Sequence, residues 1–191
     1  MDLAAYQTAA MRTSNNDHDR VKNGALGLIG ETGEIVDIIK KYLFQSGEDA
    51  ILPVDELKKE CGDVMWYIAE TCTGLGMSMQ EVLDHINSGG CAPNNMEECA
   101  ITMMECAMYI YHRKGVANAK PMLMRALGDL YLQLVMLCNY ADLPIREVAE
   151  ANIKKLEKRY PAGFDPERSL HRPEYAQKEA EAHARPAEDT V

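Results

Sequence analysis

A chain of 191 residues has room for one domain with a real core, or for two small lobes that share one, and excludes a large multidomain enzyme. Hydrophobic residues make up 47% and charged residues 26%, as in ordinary soluble globular proteins, and the low aromatic share of 6% favours helices over sheets. The net charge of −10 excludes a nucleic-acid scaffold, because neutralising phosphates needs a basic stripe and only "NIKKLEKR" offers a short one.

The chain begins with an arm that contains the turn-like "TSNNDHD". Apolar residues at 25, 28, 29, 35, 36, 38, 39 and 42 then mark a first long helix, with Glu31, Glu34 and Lys41 near one another on its surface. Ser46, Gly47 and Pro53 end it. "PVDELKKE" predicts the start of a second helix, with Asp55 as its cap, running through Trp66 to about Thr73. "GMSMQEVLDHI" predicts a third helix capped by Ser78, and "NSGGCAPNN" supplies the best internal boundary.

Beyond that boundary the pattern returns. "LGDLYLQLVMLCNYADLPIREVAEAN" lies on "CGDVMWYIAETCTGLGMSMQEVLDHI" at an offset of 66 residues, pairing Asp129 with Asp63. Upstream, "TMMECAMYIYHRK" lies on "ETGEIVDIIKKYL" at an offset of 71, pairing Glu105 with Glu34, and the change of register falls in the loop between the helices. This predicts an all-α bundle made by tandem duplication of a helical hairpin: a first repeat over 1–88, a linker at 89–95, a second repeat over 96–160 and a tail over 161–191. With prolines at 161, 166, 173 and 186, the tail is expected to lie extended over the surface.

Six cysteines at 61, 72, 91, 99, 106 and 138 form no CxxC pair and read as reduced core thiols. No signal peptide is legible, and the apolar stretch Leu130 to Ala141 is too short to cross a bilayer. The expectation is a cytoplasmic protein with no membrane partner.

Residues three apart share a helix face, so Glu31 projects with Glu34, and Glu60 with Asp63. A solvated acidic face is the ordinary explanation of such pairs. Asp63, however, sits inside the apolar "CGDVMWYIA", where an unpartnered carboxylate would be expensive to desolvate. Glycines at 30, 33 and 62 are also odd inside helices, unless helices approach closely or a ligand needs room. Four carboxylates on two antiparallel helices would repel one another by about 3 kcal/mol per pair, and bound cations relieve this. Oxygen-only ligation selects Mg²⁺ or Mn²⁺ over zinc, and Mg²⁺ commonly bridges to substrate phosphates. A di-iron bundle is the rival, but no glutamate here has a histidine three residues later.

At these residues the sequence resembles the MazG-like all-α nucleoside triphosphate pyrophosphohydrolases, whose signature is ExxE followed, some two dozen residues on, by ExxD. Here it reads Glu31-Thr-Gly-Glu34 and Glu60-Cys-Gly-Asp63, and the closing "NIKKLEKRYPAGF" is similar to the family's ending. The resemblance implies Mg²⁺-dependent cleavage of a nucleoside triphosphate between its α- and β-phosphates, giving monophosphate and pyrophosphate. It also implies metal ligation by Glu31, Glu34, Glu60 and Asp63, with Glu34 orienting or deprotonating the attacking water. Tyr67 would line the nucleoside pocket. Asn152, Lys155 and Arg159 would bind phosphate or sugar, Lys41 would help from the first helix, and Asn23 and His18 would contact the nucleoside. In the second repeat Thr102 and Ala126 replace Glu31 and Glu60, so one site is expected, with Glu105 and Asp129 hydrogen-bonded across the lobe interface. Family members build their bundle from two subunits. One duplicated chain would supply both halves, and a homodimer of such pseudo-dimeric chains is compatible with it. The alternative is a catalytically silent helical regulatory protein that keeps the bundle.

Overall fold

Burial of apolar helix faces dictates the architecture. The computed structural model describes residues 1–15, 17–45, 47, 50–84, 86 and 93–170, and these form helices joined by turns, with no strand among the described residues. In chain order the helices are α1 (Leu3–Met11), α2 (Arg20–Phe44), α3 (Val54–Gly74), α4 (Met79–Asp84), α5 (Met96–Arg113), α6 (Lys120–Tyr140), α7 (Ile145–Arg159) and α8 (Pro166–Leu170). α2 starts where the Asp19 side chain accepts from the Lys22 N–H, and it buries Ala25, Leu28, Ile35, Ile38 and Ile39 along one stripe. α3 packs against it with Leu57, Cys61, Val64, Met65, Ile68 and Cys72.

The second repeat does the same with α5 and α6. α5 is started by Asn95, which accepts from the Glu98 N–H at 2.8 Å, and α6 buries Leu123, Leu127, Leu130, Leu134 and Leu137. α2 lies against α5, and α3 against both α6 and α7, so all four long helices share one core.

The duplication is visible in atomic detail. α3 ends where the Met77 N–H donates to the Cys72 carbonyl at 2.9 Å, with Gly76 at φ 62°. α6 ends in the same way: the Leu143 N–H donates to the Cys138 carbonyl at 2.8 Å, with Asp142 at φ 53°. A left-handed residue after the last turn satisfies the open carbonyls of both helices. Glycine adopts that conformation without strain and aspartate tolerates it, so the stop survived the sequence change.

Several expectations change. The N-terminal arm holds α1, which follows an Asp2 cap that accepts from Ala5 N–H and buries Tyr6 and Ala10. Asp55 does not cap α3. Pro53 occupies that position without a side-chain bond, and Asp55 and Glu56 instead lie in the first turn, where carboxylates favour the helix dipole. Ser78 does cap α4, exchanging bonds with Glu81 at 3.1 and 2.6 Å. The tail is not simply extended, since it forms α8, and residues 171–191 lie outside the described ones, as do Cys91 and most of the linker. Of the other cysteines, 61, 72, 99 and 138 are buried and unbridged. The apolar stretch that ends at Ala141 belongs to a helix of 21 residues, long and apolar enough by composition to span a bilayer, and half of that apolar window is buried inside the bundle.

Candidate functional site

Glu31 on α2 and Glu60 and Asp63 on α3 each offer a carboxylate oxygen within 4.8 Å of the others. Two antiparallel helices bring them together because each acid stands at the edge of its helix's buried stripe, and all three are half-buried. Proximity and burial act together on Glu31, whose carboxyl is pushed up to about 7 by desolvation first and then by the charges of Asp63 and Glu60. Two lysines offset the cluster. Lys59 donates to Glu60 at 2.7 Å, and Lys155 of α7 forms an ion pair with Asp63.

Asn152, one turn before Lys155, donates to the same Asp63 oxygen at 3.2 Å. Its own carbonyl accepts from the buried Tyr6 hydroxyl at 2.9 Å, which fixes the amide with its NH₂ toward the acids. Desolvation, and then Asp63, hold the Tyr6 phenol well above its ordinary value, so it remains a donor. A Cβ at residue 62 would lie 3.0 Å from Asn152, so Gly62 is what lets α7 approach α3 here. That fulfils the expectation of close approach at one glycine. It fails at Gly30, which has nothing within 4 Å, and at Gly33, which has only the Met104 side chain at 3.9 Å.

Glu34 is exposed, one turn beyond Glu31 and outside the three-acid set. Lys41 is further out and pairs with Asp37 at 2.6 Å, so the structure does not bring it to the cluster.

Beside the acids lies a cavity of about 260 Å³. Glu31 and Asp63 form one end of it, and Tyr67, Asn23, His18 and Arg159 line it, so four residues singled out in the sequence meet there. Tyr67 and Trp66 stack edge to face at 4.9 Å. Tyr67 lies directly over Gly27, where any Cβ would fall within 2.4 Å of its ring. The Trp66 N–H is anchored on Thr13 Oγ1 at 3.0 Å and the Ala10 carbonyl at 3.2 Å. Phe164 and Tyr160 close the cavity from the C-terminal side. They are held by Arg12, which donates to the Tyr160 and Pro161 carbonyls at 3.2 Å and accepts the Phe164 N–H at its own carbonyl.

A residue the sequence reading passed over anchors the far end. Glu70, 0% exposed, accepts from Ser14 Oγ at 2.6 Å, His18 Nε2 at 2.8 Å and Arg20 at 3.4 Å. The signal was present, since a glutamate within "YIAETC" breaks an apolar run as Asp63 does.

The corresponding face of the second repeat is a shallow cavity lined by Glu105, Tyr109, Met122, Arg125, Ala126 and Asp129. Asp129 faces Arg125 of its own helix at 3.8 Å and makes no bond across the repeats among those described, contrary to expectation. Glu105 is exposed.

Comparison with known proteins identifies the family. The family model for the MazG nucleotide pyrophosphohydrolase domain matches twice, over residues 21–88 and 79–164. The chain belongs to the MazG family. Each match contains one helical hairpin, so the MazG fold and its tandem repetition account for most of the chain. A similar protein is the Gene 37 protein of Mycobacterium phage L5, 34% identical over 92 residues that cover 43% of this chain and 79% of that protein. No solved structure matches.

Proposed function

We infer that this MazG chain hydrolyses a nucleoside triphosphate between the α- and β-phosphates, releasing a monophosphate and pyrophosphate, at the single site of its first repeat. The observation that carries the reading is the convergence of Glu31, Glu60 and Asp63 within 4.8 Å at the mouth of a cavity walled by Trp66 and Tyr67. Three carboxylates at that separation repel by about 3 kcal/mol per pair at an effective dielectric near 20, an arrangement that suits hard cations. Their all-oxygen donor set fits Mg²⁺ or Mn²⁺. Glu31, Glu60 and Asp63 would hold the ion, with Glu34 swinging in from the same face of α2. When bound, the ion supplies charge neutralisation at the polyphosphate and acidifies a water.

The chain's own residues account for the remainder. Lys155, which pairs with Asp63 in this structure, would be free to contact a phosphate oxygen if Asp63 held a cation instead. Arg159, on the cavity wall one turn further along α7, would bind the same polyphosphate. The exposed Glu34 carboxylate orients the attacking water and takes its proton. Tyr67 and Trp66 offer apolar faces for a base, and the Arg12-clamped segment with Phe164 excludes bulk water from the nucleoside end. Incubation with common nucleoside triphosphates and Mg²⁺, with separation of products, tests the reading. Monophosphate and pyrophosphate are expected. Diphosphate with inorganic phosphate as the sole products refutes it, and binding without any product would favour a silent regulatory protein.

A further inference from the structure

We propose that Glu70 is a positioning residue for nucleobase recognition, fixing His18 directly, and Ser14 and Arg20 on either side of it, so that His18 reads the edge of the base. The inference rests on the reading of the cavity as a nucleoside polyphosphate site. Completely burying a carboxylate is costly, and apolar replacements of buried ionic groups are often as stable, so its retention points to geometry rather than to stability. Of its three donors, Ser14 and His18 come from the segment that connects α1 to α2, and Arg20 is the first residue of α2. Glu70 therefore staples that segment to α3.

The staple lies where a base would be. Asp63, Tyr67 and Glu70 follow one another along one face of α3, spanning two helical turns or roughly 10 Å. That is the reach of a nucleotide from its metal-bound phosphates to the outer edge of its base. Tyr67 gives the flat surface between. His18 and Asn15 line the cavity from the stapled segment, with Thr13 beside them holding Trp66 in place.

The chemistry at His18 follows from its partner. A carboxylate oxygen only accepts, so Nε2 carries the hydrogen in the bond to Glu70, and Nδ1 is the ring nitrogen left for a ligand. In the neutral ring that Nδ1 is a bare acceptor, which asks for an N–H group on the base edge. A glutamine at position 70 can present its NH₂ to Nε2 and so turn the ring to the other tautomer, exchanging the acceptor at Nδ1 for a donor.

The test measures direct binding with Mg²⁺ by calorimetry, using α,β-imido analogues of dATP, dCTP, dGTP and dUTP, with inorganic tripolyphosphate as a probe that has no base. The parent should separate the four analogues by about tenfold or more, the scale of one well-made hydrogen bond. Glu70→Gln should compress that spread to within about threefold and leave tripolyphosphate affinity within about twofold. His18→Asn, at a partly exposed position, should do the same and decides the question if Glu70→Gln does not fold. An unchanged spread in folded variants, or an equal loss of tripolyphosphate, overturns the inference and leaves the proposed function standing. A parent that binds tripolyphosphate but does not separate the bases overturns it as well. A parent that binds none of the five probes refutes the proposed function and this inference with it.

Discussion

Gly62 and Gly128 do the same mechanical job in the two repeats, and what each touches tells the repeats apart. A Cβ at either would meet a side chain at 3.0 Å: Asn152 on Gly62, and Ile86 on Gly128. The four residues are related by the repeat offset, so this close approach belongs to the duplicated hairpin and not to the site. The first repeat spends the approach on an amide that reaches Asp63, and the second on an apolar contact. The same replacement runs through the whole set. Thr102 stands for Glu31, Ala126 for Glu60, Gln133 for Tyr67 and Met136 for Glu70, while the helix stop after α6 survives. The packing recurs because the long helices share one core, whereas Glu31, Glu60 and Glu70 of the first repeat have no acidic counterpart in the second.

The sharpest way to break this comparison is to treat the two aspartates alike. Asp63→Asn is expected to lower turnover by about a hundredfold or more, since the proposed site would lose a metal ligand, and Asp129→Asn by less than about twofold. Pyrophosphate release by folded variants decides it, and equal losses would mean that both repeats work. Because Asp63 is ion-paired with Lys155 as well as crowded by acids, Asp63→Asn should change stability by no more than about 1 kcal/mol, the two effects opposing each other.

The contribution of α7 can be removed separately. Lys155→Ala should weaken binding of a non-hydrolysable nucleotide by about tenfold, as expected for a lost charged contact. Asn152→Ala should also cost about 1–3 kcal/mol in thermal or denaturant unfolding, because it leaves the buried Tyr6 hydroxyl without its side-chain partner.

A milder challenge restores glutamates at 102 and 126. Thr102→Glu with Ala126→Glu is expected to leave one nucleotide bound per chain by calorimetry. Ile86 offers no amide, α4 ends at Asp84, and glycine stands in the sequence where Lys155 would be matched. Two nucleotides per chain would show that the carboxylates alone define a site.

Glu31 adds a pH signature. Its folded value near 7 stands above its ordinary 4.5, so the folded state holds that proton more tightly and the metal-free protein should lose stability as pH rises from about 4.5 to about 7. Denaturant unfolding in chelator should show this slope relative to Glu31→Gln, and saturating Mg²⁺ should remove it. The smallest effect concerns the helix glycines. Gly30→Ala should be neutral or stabilise by up to about 1 kcal/mol, whereas Gly27→Ala should destabilise by displacing the Tyr67 ring.

Much of this was legible in the sequence because period and repetition survive without coordinates. The apolar positions of α2 and α3, the duplicated hairpin and the acids Glu31, Glu60 and Asp63 all follow from spacing alone. Position within a turn does not carry as far. Lys41 shares a rough face with Glu31, yet Asp37 is closer and captures it, and Asp55 lies inside a helix that had already begun at Val54. Nothing local announced α1, whose helix depends on docking Tyr6 and Ala10 into the bundle. The nucleoside end was the least legible. Its walls come from the α1–α2 connection, α2, α3, α7 and the Phe164 segment at once, and only tertiary packing brings those together.

The partnership of Asp63 with Lys155 joins residues 92 positions apart, and this sets a timetable. At a ribosomal pace of roughly 5–20 residues per second, the acidic hairpin is complete roughly 5–20 s before the lysine that balances it has been made. During that interval Lys59 is the ion-pair partner that the hairpin carries with it, so the first repeat emerges with its acids partly balanced, and the docking of α7 completes the charge balance as well as the core.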